Sequence, residues 1–287
     1  MYNNILNQEK TIVFHPGIGK TATSKIQEIG LKLPLGNNGE ACFSPYGIYG
    51  GAHNYFSSIH PGFNGDKFNS EWELLLDFVS KRKGSTIVST EFLIRDTHEH
   101  IRKMIESARS KGIGVKVVFS IRSYSEYLLS SYMQGVKVQW GIRKDENFLE
   151  YCRREVDNIR YPLLIDKWSN LVGKESIYLL DYTNNKNNFV GSFFNLFGID
   201  VSESFNPGDK VNLSMPFEIA PIIRHFDNIS DDSEVREKLI ELLGNVKFKT
   251  NMKETILSRV ESEIIMNKYT HDIGRLNELY RWVELKS

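Results

Sequence analysis

The first stretch with the residue types for chemistry is TIVFHPGIGKTATSKIQ, residues 11–27. An apolar, β-branched run leads through Gly17 and Gly19 to Lys20, Thr21, Ala22, Thr23 and Ser24 at the start of a segment with helical periodicity. Glycines allow close backbone approach, and the first turn of a helix offers N–H groups without intrahelical partners at the positive end of the dipole. With a lysine added, that set suits a phosphate or sulfate. Three readings compete: a nucleoside-triphosphate loop, a loop for another anionic ligand, and a tight turn before a helix. The triphosphate motif requires a glycine five residues before its Gly-Lys pair. Phe14 stands there, so the motif fails at its first position while the parts of an anion loop remain.

Such a loop needs a strand to enter from and a helix to run into. Strand-like runs lie at Thr11 to His15, Ser85 to Thr90, Val115 to Ile121 and Ser176 to Asp181, each short and nearly continuous in apolar character, as suits strands covered on both faces. Helical patterns alternate with them at Thr21 to Leu33, Ser70 to Lys83, His98 to Lys111, Tyr124 to Gln134 and Tyr161 to Leu171. The alternation predicts an α/β fold: a P-loop-like central parallel sheet flanked by helices, with ligands at the carboxyl ends of the strands. Leu35 to Asp66 has little periodicity and holds glycines, aromatics and two histidines, the makings of a lid or binding surface. After Phe197 the pattern turns helical, including a long segment from Glu254 towards Trp282. The organisation expected is one domain over residues 1–287, an α/β core over 1–200 and a helical section over 201–287.

Composition narrows the function classes. Of 287 residues, 36 are basic and 36 acidic, a balance that argues against bulk nucleic-acid binding or a polybasic membrane protein. The polar stretch Met1 to Lys10 has no leader character and no apolar run approaches a membrane span, so a soluble, cytoplasmic protein is expected. The two cysteines, Cys42 and Cys152, are far apart and lack metal-like spacing.

HPGIGKTATSKIQ resembles the 5′-phosphosulfate loop of sulfotransferases that use 3′-phosphoadenosine-5′-phosphosulfate, in the bacterial form H-x-G-x-x-K-T-G-T-[TS]-x-x-Q. His15, Gly17, Lys20, Thr21, Thr23, Ser24 and Gln27 fall on that pattern. Ala22 departs from its usual glycine; alanine takes helical angles readily, so the loop is expected to keep its course. VVFSIRSYSEYLLSSYMQGVK resembles the family's 3′-phosphate element, an arginine at a strand end followed eight residues later by a helical serine, here Arg122 and Ser130. Ser123 and Glu126 have capping-box spacing, which would start the helix directly after the strand. Ser130, seven residues beyond Ser123, then returns to the same face. The family's proline two residues after the arginine is Tyr124 here. In TIVSTEFLIRD, Glu91 takes the place of the family's general base, with His53 in GGAHNYF as the rival. The late segment VNLSMPFEIAPIIRHFDN resembles the family's Asn-x-Ser before a helix, with Ser214 as cap and Pro216 in the first turn.

The resemblance implies a single cofactor, 3′-phosphoadenosine-5′-phosphosulfate, as sulfuryl donor, and no metal. His15, Gly17, Gly19, Lys20, Thr21, Ala22, Thr23 and Ser24 would hold its 5′ end, with Arg122 and Ser130 on its 3′-phosphate. Lys20, Glu91 and His53 are the implied catalytic set. The acceptor would be a hydroxyl or amine of a glycan or small molecule, met by the aromatic loop that carries His53, Tyr55 and His60. Two other classes stay open: a kinase or nucleotide-triphosphatase with a degenerate loop, using Glu91 or Asp181 for magnesium, and a non-catalytic anion-binding relative. The sequence leaves acceptor identity and oligomeric state undetermined.

Overall fold

The computed structural model describes residues 6, 8, 10–35, 39–143, 145–201, 215–246, 248 and 252–283. Its centre is an all-parallel six-stranded sheet in the order β2-β3-β1-β4-β5-β6. The strands are β1 (Thr11–His15), β2 (Cys42–Phe43), β3 (Thr86–Ser89), β4 (Gly114–Ile121), β5 (Ile177–Asp181) and β6 (Arg281–Val283). Four of them match the apolar runs of the sequence. The two edge strands do not, because two or three residues carry no readable period.

Two compact units make up the chain, one of residues 1–122, 161–207 and 275–287, the other of residues 123–160 and 208–274. The first contains the sheet with α1 (Thr23–Lys32), α2 (Gly65–Ser80) and α3 (His98–Ser110). The second contains α4 (Tyr124–Val138) and α5 (Phe148–Glu155). Back in the first unit come α6 (Tyr161–Val172) and α7 (Phe189–Asn195), and in the second α8 (Ala220–Ile229), α9 (Ser233–Gly244) and α10 (Met252–Val260). A π-helical turn at Glu261–Ile265 leads to α11 (Met266–Leu279). The expected helical tail therefore ends differently: Arg281–Val283 pairs in parallel with β5, Tyr178 opposite Arg281, where an aromatic and a β-branched residue suit an edge strand.

Alternation along β1 separates two cores. Val13 faces a cluster with Ile26, Ile29, Ile87, Val118, Phe193 and Phe194. Phe14 instead packs on Trp168 and Trp72, with ring centroids 5.4 and 6.3 Å away, and Trp168, fully buried, also meets Phe119. A strand buried on both faces leaves its carboxyl end as the place where polar groups can meet a ligand.

The helical unit is tied together by a buried ion pair. Arg236 on α9 donates to Asp227 on α8 at 2.7 Å and to the carbonyls of Lys137, at 2.9 Å, and Val136 at the end of α4. The guanidinium fork thus meets carbonyls that a helix terminus leaves without partners. The capping box expected at Ser123 and Glu126 is not formed: Ser123 is the N-cap residue of α4, but its side chain makes no cap hydrogen bond. A complete box stands instead at Asn147 and Glu150, opening α5. Ser214 lies outside the described residues, and Pro216 precedes a single 3-10 turn that runs into α8.

Removing one partner of a buried ion pair strands the other, at a typical cost of about 3–5 kcal/mol. Arg236→Ala is accordingly expected to lower the urea midpoint of the helical unit by a matching amount. Arg236→Lys should recover little, since an ammonium cannot fork. A loss under about 1 kcal/mol for the alanine variant would contradict this.

Candidate anion-binding site

Three parallel strands end side by side, and each sends one residue type expected from the sequence beyond its carboxyl end: Lys20 after β1, Glu91 after β3 and Arg122 after β4. The bracing lies beneath them. His15, the last residue of β1, is fully buried, with Nδ1 3.0 Å from the Ser89 hydroxyl on β3 and Nε2 3.0 Å from the Ser120 hydroxyl on β4. Gln27 on α1 donates to the same Ser89 hydroxyl at 3.3 Å. Burial lowers the His15 pKa to about 3, so the ring stays neutral and works through hydrogen bonds. His15 was expected among the ligand contacts; both ring nitrogens are engaged inside the protein, and it positions the strand ends instead.

Above this brace the chain turns through left-handed backbone. Gly19 has φ 81°, Lys20 φ 57° and Ala22 φ 59°. Backbone that passes through the left-handed region in this way can form a nest of N–H groups that attracts anions. The amides of Gly19 to Ser24 take no acceptor among the described residues. Ala22 is the N-cap of α1 without a side-chain cap bond. Here the sequence expectation is corrected: alanine is held in the left-handed region that glycine takes without penalty, not at helical angles. Gly17 is required for space, since a Cβ there would lie 2.6 Å from the Thr23 hydroxyl. Thr21 and Thr23 are buried with their hydroxyls 3.4 Å apart, while Ser24 is exposed.

Arg122 holds the loop in this shape by donating to the Lys20 carbonyl at 2.7 Å. Its own carbonyl accepts from the Tyr161 hydroxyl at 2.7 Å, and its guanidinium stands 5.3 Å from the Tyr182 ring centre. Tyr161 carries no signal of this role in the sequence, whereas Tyr182 directly follows the strand-ending Asp181 as the aromatic half of an acidic-aromatic pair. Ser130 is half-buried on α4 and belongs to the second unit. Asp181, the other candidate acid, accepts from the Asn184 amide at 3.0 Å and caps its own turn.

Glu91 opens a 3-10 turn after β3 and reaches over the glycines of the loop. A Cβ on Gly17 would lie 3.2 Å from its Cγ, and one on Gly19 3.7 Å from its Oε2. Its flank is open to solvent, yet the surrounding chain disfavours the charge: burial raises its pKa, against the opposing pull of Lys20 and of a hydrogen bond from Thr23. Lys20 is shifted downward by burial, with Glu91 opposing and Arg122 adding to the fall. Lysine, carboxyl and arginine thus act on one another electrostatically at one end of the sheet.

His53 is corrected as a base. It is fully buried: Nδ1 lies 3.0 Å from the Ser89 amide nitrogen and 3.1 Å from the Ser89 carbonyl, and Nε2 lies 3.0 Å from the Ser44 carbonyl. Burial lowers its pKa. It staples the 44–57 segment to β3 and presents no free nitrogen. Tyr49, exposed, and Tyr55, half-buried, belong to an aromatic row that continues beyond that segment: Tyr49 lies 5.1 Å from Tyr55 and 5.2 Å from His60, and His60 4.7 Å from Phe92, beside Glu91. No group of three or more histidines, cysteines or acids suited to a metal ion occurs among the described residues, and no described helix is long and apolar enough to cross a membrane.

Two outcomes follow from this geometry. Ala22→Gly should stabilise the fold by about 1 kcal/mol, read as a raised urea midpoint, because it relieves left-handed alanine; a destabilised variant would contradict the backbone described. His15 is depressed from 6.5 to about 3, so the folded state binds fewer protons than the unfolded one across that window. Stability should therefore fall on acidification from neutral pH, by about 1.4 kcal/mol per pH unit within the window. A denaturation midpoint that rises between neutrality and mild acid would refute it.

No family model and no curated protein sequence matches the chain. Among solved structures, a chain from the PezAT chromosomal toxin–antitoxin system of the human pathogen Streptococcus pneumoniae is similar at 12% identity, with 89% of this chain and 88% of that chain covered and a TM-score of 0.32. A sulfotransferase domain from the curacin biosynthetic pathway is similar at 12% identity, with 90% and 98% covered and a TM-score of 0.38. Likenesses at this level assign the chain neither a family nor an activity.

Proposed function

We propose that the protein is a sulfotransferase that moves a sulfuryl group from 3′-phosphoadenosine-5′-phosphosulfate to a hydroxyl or amine of a glycan or small-molecule acceptor. The observation that carries this reading is the Gly19–Ser24 nest, whose amides take no acceptor among the described residues, with Lys20 within it, Glu91 alongside and Arg122 bonded to the Lys20 carbonyl. Beside it stands the ordered match of the sequence to both phosphate elements of that enzyme family.

The donor supplies a sulfur bonded to a good leaving group, so the protein's task is positioning and fixed positive charge. The Gly19 to Ser24 amides and the Lys20 ammonium would hold the 5′-phosphosulfate. Lys20 would also offset charge that develops on the bridging oxygen as the sulfur–oxygen bond breaks. Glu91 would accept the proton released by the attacking hydroxyl or amine, a task suited to a carboxyl whose pKa lies above the ordinary range. Arg122 would take the 3′-phosphate, and Ser130 keeps its expected part there on the strength of its spacing in the sequence. The aromatic row of Tyr49, Tyr55, His60 and Phe92, its rings tilted or edge-on to one another, offers ring faces against which a sugar ring could pack.

Thermal-shift titration with adenosine 3′,5′-bisphosphate and with Mg-ATP tests the reading. The bisphosphate should stabilise the protein at far lower concentration, and Arg122→Ala should weaken it by about tenfold or more, the worth of a charged hydrogen bond. Preference for Mg-ATP, or an unchanged affinity in the variant, would overturn it.

A further inference from the structure

The 3-10 turn that opens with Glu91 is tied down at both ends by polar side chains. At its head the Thr90 hydroxyl accepts from the Phe92 amide at 3.3 Å and donates to the Asn54 side chain at 2.6 Å, and Asn54 in turn donates to the Tyr49 carbonyl at 2.9 Å. Its tail is met from α6. There the Lys167 ammonium donates to the carbonyls of Ile94 at 3.0 Å and of Asp96 at 2.6 Å. The Asp96 carboxylate, almost wholly buried, accepts from the amides of Ser58 and Thr97, each at 2.7 Å, and from the Ser58 hydroxyl. Both ends of the turn therefore lead to the stretch that bears the aromatic row, and Phe92, next to Glu91, closes that row against His60.

Leu93 and Ile94 are buried and already anchor the turn through apolar contact. A half-buried ammonium and a buried carboxylate are costly additions, because each gives up water. What they supply is direction: the carbonyls that end a short helical turn have no partner within it, and the ammonium fixes where two of them point. On the sulfuryl-transfer reading, in which Glu91 takes the acceptor's proton, we infer that Lys167, seconded by Asp96, is a positioning residue for Glu91 and holds it and the aromatic row as one piece. Lys167 touches neither ligand in that reading and acts through the turn. Without its ammonium the Ile94 and Asp96 carbonyls lose their donor, the turn slackens from its tail, and Glu91 leaves its place over Gly17 and Gly19. A shift of about 1 Å in such a group costs on the order of a hundredfold in rate.

Amide spectra of the isotope-labelled full chain test the placement without any acceptor. Lys167→Met should move the amides of Glu91 and Phe92 as well as those of Ile94 to Thr97, while Gly19 to Ser24 stay in place and the affinity for adenosine 3′,5′-bisphosphate is unchanged. Lys167→Arg, which keeps the charge and the donors, should restore Glu91 and Phe92. Shifts confined to Ile94–Thr97 would overturn the inference and leave Lys167 a plain cap. Transfer from radiolabelled donor to 2-naphthol and to N-acetylglucosamine is the second arm. Lys167→Met should lower kcat by about tenfold or more, Lys167→Arg should recover it, and the loss should vanish when Glu91 is already glutamine. An equal loss in both backgrounds would overturn the inference, and if neither compound accepts the label the amide result decides. A native chain that binds no bisphosphate would end the sulfuryl-transfer reading itself, a result distinct from these. Should Lys167→Met fail to fold, Asp96→Asn, which loses an acceptor for one of its two amides, must move Glu91 and Phe92 instead.

Discussion

The amides of Gly19 to Ser24, which take no acceptor among the described residues, are the constraint around which the loop between β1 and α1 is built. The nest exists because three residues in four positions adopt left-handed angles, one of them an alanine. That shape is not self-supporting. It is held by Arg122 at the Lys20 carbonyl and by the crowding of Thr23 against Gly17. Strain of this sort persists only where surrounding structure over-determines it, and it is a common mark of a site built for a ligand.

The sheet supplies that determination. His15 ties β1 to β3 and β4 through two serine hydroxyls, and His53 ties the 44–57 segment to the same β3 residue, Ser89, through its amide. The carriers of Lys20, Glu91 and Arg122 are thereby locked together at His15, Ser89 and Ser120, two residues before Glu91 and Arg122 and five before Lys20. Both histidines do this neutral, since burial pushes each away from the charged form. Two residues that look like chemistry in the sequence are thus part of the frame. The charge that remains belongs to one lysine, one carboxyl and one arginine.

Much of this was legible beforehand for a physical reason. Strands buried on both faces must be apolar without interruption, so Thr11–His15 and its three neighbours could be read directly, and the strand-loop-helix order marked the anion loop. What escaped notice depended on contacts distant in sequence. The two-residue β2 and the three-residue β6 have no period of their own, and β6 hides at the end of a helical pattern. Whether a histidine is a base or a strut depends on which carbonyls fold around it, as at His53. Spacing alone suggested a capping box at Ser123 and Glu126, whereas the side chains form one at Asn147 and Glu150. At Ala22 residue type gives no sign that φ is positive.

The central claim is that the loop between β1 and α1 receives an anion through its backbone. Amide chemical shifts of the isotope-labelled protein during titration with adenosine 3′,5′-bisphosphate test it most directly. The account predicts large, saturable shifts at Gly19 to Ser24 with the strand residues below them little changed. Saturable binding that leaves those amides unmoved and perturbs residues elsewhere would contradict it.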